Sequence, residues 1–171
     1  FKPQNLSNTA WAFATAGVSP PQLFTQLVLA ATTSMSSSCW GADDLTGLHL
    51  WQLQLTLQGQ VSDSQLLSAK LVQQCRNAMQ SSQVHSSQLQ RSVAIALAEV
   101  HDGFEEELLD ERTSYSLDLA LRSSLIAVEV DGPSHFLRNP GTQGEHLPNG
   151  STLLKRRLLR MAGWHVVSVP F

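Results

Sequence analysis

In the stretch Leu125-Ile126-Ala127-Val128-Glu129-Val130-Asp131-Gly132-Pro133-Ser134-His135-Phe136, two carboxylates are set into an apolar run. A Gly-Pro turn stops the run, and a histidine follows. Buried strands seldom carry Glu and Asp two residues apart, because uncompensated charge in an apolar setting is costly. Either cations compensate these charges, or the strand end opens onto solvent or a ligand. Just upstream, Tyr115-Ser116-Leu117-Asp118-Leu119-Ala120-Leu121 alternates at period two, as a half-buried strand does. If Ser123-Ser124 form a two-residue hairpin loop, Leu117 faces Val130, Leu119 faces Val128 and Leu121 faces Ile126 on one face. On the other face Ala120 meets Ala127, and Asp118 meets Glu129, with Asp131 one step further on. This register keeps both faces consistent, which is what fixes a register in real sheets. Facing residues have Cβ atoms about 5 Å apart. Two carboxylates so placed need a cation, a shared proton or a nearby Lys or Arg. A divalent metal held by Asp118 and Glu129 is one answer. A structural network with Arg or backbone partners is the other.

The elements that position these residues follow from the flanking sequence. Ser87-Gln88-Leu89-Gln90 reads as a capping box, and Leu89, Val93, Ala96-Leu97 and Val100 form the apolar stripe of a helix. Glu105-Glu106-Glu107 falls in a loop or early strand. After Gly132-Pro133 the chain is irregular to Asn149-Gly150, and a loop of that length in a compact domain is functional or mobile. Ser151 or Thr152 then caps a helix with Leu154, Leu158 and Met161 on its inner face and Lys155, Arg156, Arg157 and Arg160 on its other faces. Gly163 stops it. Trp164-His165-Val166-Val167-Ser168-Val169 is the last strand, with Trp164 in the core. Strand, crossover helix and strand make a parallel unit, so this half is a small α/β domain with a mixed sheet. The four cations make either a phosphate-binding face or an ordinary solvated face with acids nearby.

The N-terminal half is helical. Asn5 or Ser7 caps a helix that contains Leu6, Ala10, Trp11 and Ala14 and stops near Gly17; Ser19-Pro20-Pro21 starts the next. The pattern recurs with Asp43-Asp44 as cap, Leu48, Trp51 and Leu55, a stop at Gly59, then Ser62-Asp63 and Leu66-Leu67. Trp11 and Trp51 lie 40 positions apart in matching places, and helix pairs at such a period are the signature of stacked helical repeats. A plain four-helix region is the alternative. Polar linkers occur at residues 34–38 and 80–83, and the second divides the chain into domains 1–80 and 81–171.

The chain has 171 residues, 42% hydrophobic and 15% charged, with a formal net charge of -3. It is therefore globular, and bulk charge does not mark it as a basic nucleic-acid binder. Residues 101–131 hold nine of the 14 acids and only two cations, whereas from Gly132 onward five cations face the single Glu145. Cys39 and Cys75 make no disulfide framework and read as free, buried thiols. No apolar run is long enough to span a membrane, and no signal or transit peptide is visible. The abrupt ends suggest a piece of a longer protein.

Two resemblances add to this reading. Leu6-Ser7-Asn8-Thr9-Ala10-Trp11-Ala12-Phe13-Ala14 with Gly17 resembles the "L-x-N-x-x-W-A-x-A" core of octotricopeptide repeats, helical hairpins of organellar RNA-binding proteins, and the related repeats of FAST-kinase-like proteins. The second unit departs from it at Gly47-Leu48-His49. Residues 126–136, Thr152-Leu153-Leu154-Lys155-Arg156-Arg157-Leu158-Leu159 and Gly163-Trp164-His165-Val166-Val167-Ser168-Val169-Pro170 resemble a RAP domain over roughly residues 85–171. That module ends many organellar RNA-binding proteins, and its fold is similar to PD-(D/E)xK nucleases.

The resemblance implies helical repeats followed by a nuclease-like α/β domain. The protein would bind RNA, messenger or ribosomal, in a larger organellar ribonucleoprotein such as a ribosome, without catalysis or cofactor. It would sit in the mitochondrion or, alternatively, the chloroplast. Lys155, Arg156, Arg157, Arg160, Arg138, Ser134 and His135 would hold the RNA. The alternative is an Mg²⁺-dependent endoribonuclease, with Asp118 and Glu129 on the metal and Asp131 and His135 among the catalytic residues. Asp131 stands where that pattern has its lysine; Lys155 or His135 would stand in.

Overall fold

The computed structural model describes residues 2–61, 67–81, 86–137 and 147–171. These form two compact units, Phe1–Ser82 and Gln83–Phe171, with six α-helices and a four-stranded mixed sheet among the described residues.

The first unit is built from α1 (Pro3–Ala16), α2 (Gln22–Ser34), α3 (Ala42–Leu57) and α4 (Ala69–Ser81). Pro3 opens α1, where its missing N–H costs nothing, and Gly17 closes it at φ 70. The expected caps Asn5 and Ser7 lie inside the helix instead. Ser7 is buried and donates to the Asp44 carbonyl at 2.8 Å. Likewise Gly41, not Asp43 or Asp44, precedes α3, and its N–H donates to Asp44 Oδ2 at 3.0 Å. Helix α3 packs on both α1 and α4. A Cβ on Gly47 would stand 2.3 Å from Ser7 Oγ and 3.2 Å from the Ser7 carbonyl oxygen, so α1 and α3 cross where only glycine fits. Trp51 is 1% exposed and meets the Phe24 ring edge-on at 6.4 Å. Trp11, at the matching place in the first unit, is 39% exposed. The two tryptophans therefore do different packing. Cys75 is buried, which pushes its thiol up to about 12, while Cys39 is exposed, against the expectation of two buried thiols. Ser62, Asp63 and Leu66 lie outside the described residues.

The second unit has α5 (Gln88–Ala98), β1 (Glu105–Leu109), β2 (Ser116–Leu121), β3 (Ile126–Asp131), α6 (Gly150–Met161) and β4 (His165–Pro170). The strands run in the order β1-β2-β3-β4. β1–β2 and β2–β3 are antiparallel, and β3–β4, joined through α6, is parallel. Leu119, Val128 and Val130 form the core on one face, covered by Leu89, Val93 and Leu97 of α5. Residues at odd positions of β3 point to the opposite face by the period-two rule. There α6 lies, anchored by Leu154, Leu158 and Leu159 at 0% exposure. The sheet is thus a middle layer, and Glu129 and Asp131 are trapped under a helix. Among the described residues no helix is long and apolar enough to cross a membrane.

The hairpin register is the expected one: Leu119 pairs with Val128, Ala120 with Ala127 and Leu121 with Ile126. The turn differs from a two-residue loop. Arg122–Ser124 form a 3-10 turn, and Leu125 closes it in the left-handed region at φ 50, ψ 42. The capping expectations at the other helices hold in part. Ser87 Oγ accepts from the Gln90 N–H, but the Gln90 side chain turns away to Glu107 and to the Asp118 carbonyl. Asn149, not Ser151 or Thr152, caps α6, its side chain accepting from the Thr152 N–H at 2.9 Å. Gly163 ends the α6 turn at φ 101, and Trp164 is buried.

Candidate functional site

Strand β3 delivers Glu129 and Asp131 to the face covered by α6, and β2 delivers Asp118 beside them. Each acid receives a different partner. Asp118 Oδ2 accepts the Val130 N–H at 2.7 Å, so a side chain replaces the backbone partner just where the β2–β3 ladder ends at Leu119–Val128. The anticipated opposition of Asp118 and Glu129 lies one step beyond the last paired residues, Leu119 and Val128. Glu129 is 2% exposed, and its Oε2 meets Lys155 Nζ at 2.5 Å. Its Oε1 is buried with no hydrogen-bond partner among the described residues. Asp131 is also 2% exposed and is the best satisfied of the three. Oδ2 takes Arg156 Nη2 at 2.6 Å and Ser168 Oγ at 2.5 Å, and Oδ1 takes His135 Nδ1 at 2.8 Å.

Burial dominates the electrostatics. It raises Glu129 to about 7 even though Lys155 pulls the other way, with Asp118 and Asp131 adding repulsion. Asp118 is raised as well, chiefly by burial and against the pull of Lys155 and of the Val130 hydrogen bond. Tyr115, at the head of β2, is buried; burial first, and Glu129 second, push its phenol up. Lys155 Nζ also sits 5.6 Å from the centre of the Tyr115 ring, a cation–π distance. Burial lowers Arg157, which lies beside Tyr115.

The residues expected to act together are therefore brought together in part. Asp118, Glu129, Asp131, His135, Lys155 and Arg156 form one cluster. Lys155 reaches Glu129 from the neighbouring helix, while Asp131 occupies the second-strand position next to it. Lys155 and Arg156 direct their charge inward at buried acids. Arg160 is exposed in the last turn of α6, and Ser134 is exposed in the turn after β3. Arg138 lies outside the described residues. No group of three or more His, Cys, Asp or Glu side chains among the described residues is arranged to hold a metal ion. Two further residues touch the cluster and were not singled out from the sequence. Ser168 is the one polar residue within Val166–Val169, and parallel register sets it beside Glu129, which is a signal the strand pattern carries. Tyr115 reads only as the first residue of an alternating strand.

Residues 128–171 match the RAP domain. The matched segment contains β3 from Val128, helix α6 and β4, and so holds Glu129, Asp131, His135, Lys155 and Arg156 but not Asp118. A RAP domain-containing protein, chloroplastic, of Oryza sativa subsp. japonica is 39% identical over 85 residues, or 49% of this chain. The chain spans 12% of the length of that relative.

Proposed function

We propose that this chain is part of an organellar RNA-binding protein that holds RNA without cleaving it, its second unit being a nuclease-like RAP module whose acids are neutralised from within. The observation that carries the reading is the pairing of Glu129 with Lys155 and of Asp131 with Arg156 and Ser168 inside the RAP-matched segment. Charges committed to one another in this way brace a helix on a sheet. Arg160, Ser134 and His135, together with Arg138 and Arg157, would contact the RNA. Phosphate contacts position RNA without reading bases, so base specificity would lie with helical repeats of the octotricopeptide kind, of which the first unit would supply two. The chloroplast is favoured over the mitochondrion, because the rice relative is named as chloroplastic. A ribosomal or messenger RNA inside a larger ribonucleoprotein suits a chain of net charge -3. The test is binding of the full chain to structured RNA across a salt series. Binding that weakens steeply with salt, with no strand scission in Mg²⁺ or Mn²⁺, is the expected result.

A second reading has its own support. Among the described residues, Glu129 Oε1 is a buried carboxylate oxygen without a hydrogen-bond partner, and Lys155 reaches the acids from a neighbouring helix, as the lysine of a nuclease site can. Mg²⁺ is commonly bound by one or two carboxylates plus substrate phosphate, and Asp118 with Glu129 would supply that pair. The ion would polarise the phosphate and activate water. Asp131 would hold His135 in place, and Lys155 would favour the ionised form of Glu129 against its burial. Cleavage of RNA that Asp118→Ala abolishes would establish this reading over the first.

A further inference from the structure

In the first unit a cavity of about 170 Å³ lies between α2 and α4. Its floor is apolar. Trp40, which follows the turn Ser37–Cys39, is 5% exposed, and Leu71 of α4 is 6% exposed. Met35, at the end of α2, adds a third apolar wall. The rim is polar and open: Ser68 and Lys70 are exposed, and Thr32 and Gln74 are half-buried. An apolar cavity of about 150 Å³ holds one benzene ring, so this space fits one six-membered ring better than two fused ones.

The polar groups say what kind of ring. Trp40 Nε1 can only donate, and it has no hydrogen-bond partner among the described residues. Trp51 Nε1 is also unpaired there, but it is sealed in the core, whereas Trp40 lines the cavity. Lys70 and Gln74 stand four residues apart on one face of α4. Neither side chain has a hydrogen bond or ion pair among the described residues. Ser68 Oγ accepts from the Leu71 N–H at 3.4 Å, which leaves its own proton to give. Thr32 Oγ1 donates to the Leu29 carbonyl at 3.0 Å, which leaves it an acceptor. Trp40, Ser68, Lys70 and Gln74 therefore offer donors, and only Gln74 and Thr32 offer acceptors. A six-membered ring with two carbonyl oxygens and one N–H matches that set, and uracil is such a ring. None of these residues belongs to the α1 motif that carries the repeat resemblance, so the cavity stands apart from that motif.

We propose that this cavity takes one uracil of an unpaired RNA strand. Gln74 and Trp40 hold the base edge, and Lys70 meets the adjoining phosphate. The site rests on the RNA-binding reading above and deepens it with a base preference, since unpaired RNA is read through hydrogen bonds to exposed base edges.

The experiment is fluorescence anisotropy on the full chain with three labelled short homopolymers: oligouridine, oligocytidine and oligoadenosine. Oligouridine should bind about tenfold tighter than oligoadenosine, or about 1.4 kcal/mol, and tighter than oligocytidine. Gln74→Leu keeps the side chain's bulk and should erase that preference. Trp40→Phe keeps an aromatic ring without the N–H and should weaken oligouridine most. Lys70→Met should weaken all three strands, lower the salt slope by about 0.7 and leave the order of the bases unchanged. The wild-type comparison needs no mutation, so a variant that fails to fold does not remove the test. Equal binding of all three strands by the wild type, or a preference for cytidine or adenosine, overturns the uracil assignment. A uridine preference that survives both Gln74→Leu and Trp40→Phe overturns the cavity as its source and leaves RNA binding standing. A salt slope unchanged by Lys70→Met overturns the phosphate contact. No binding of any strand overturns both the site and the RNA-binding reading.

Discussion

Two consecutive cations of α6, Lys155 and Arg156, hold the two buried acids of β3, Glu129 and Asp131. The two pairs are unequal. Among the described residues, Asp131 has three side-chain partners, whereas Glu129 has one and an Oε1 with no hydrogen bond. Removing one partner of a buried pair costs about 3–5 kcal/mol, a large part of a domain's total stability of about 5–15 kcal/mol. Arg156→Ala should therefore destabilise the second unit by that amount in urea denaturation, and Arg156→Ala combined with Asp131→Asn by less than the single change. Glu129 behaves differently because its folded pKa, about 7, lies above its ordinary 4.5. Between those values the folded chain binds more protons than the unfolded one, so this group's contribution is full below the unfolded pKa and is lost as pH rises through 7. The loss is at most about 3 kcal/mol. Denaturation at a series of pH values should show wild-type stability falling across that window and Glu129→Gln showing a flatter profile. The acid pattern itself was legible in the sequence, since Asp118, Glu129 and Asp131 share a face at period two. Which cation meets which acid was not, because that depends on how α6 is rotated on the sheet.

At the scale of elements, the β2–β3 register could be read because a shift of one residue would turn Leu119 and Val128 to the wrong face. The turn could not. Leu125 takes a left-handed conformation that side-chain type does not suggest. Helix starts were displaced for a similar reason. Ser7, Asp43 and Thr152 have good capping chemistry, but Pro3, Gly41 and Asn149 come first in the chain where the backbone turns. The crossing of α1 and α3 was also hidden. Gly47 looked like a departure from a repeat pattern, and it is the point where the two helices touch. Alanine should gain about 1 kcal/mol in helix propensity there, yet the clash with Ser7 should cost more, about 1–3 kcal/mol from overpacking. Thermal melting of Gly47→Ala followed by far-ultraviolet circular dichroism should show a lower midpoint, and Gly47→Ala with Ser7→Ala should recover part of it.

For the molecule as a whole, charge is arranged more tellingly than it is summed. The acids of residues 101–131 and the cations after Gly132 meet within the second unit, where Lys155 and Arg156 are turned inward. Arg160 remains exposed. Each phosphate contact on a single strand contributes about 0.7 to the slope of log affinity against log salt. Arg160→Ala should thus lower that slope by about 0.7 with stability unchanged, whereas Lys155→Met should lower stability and leave the slope nearly as it was. The most direct test of the central claim is incubation of the full chain with labelled structured RNA in Mg²⁺ and Mn²⁺, read for binding and for scission on the same samples. The account predicts a salt-sensitive complex and intact RNA. Scission by the wild type that disappears in Asp118→Ala would contradict it.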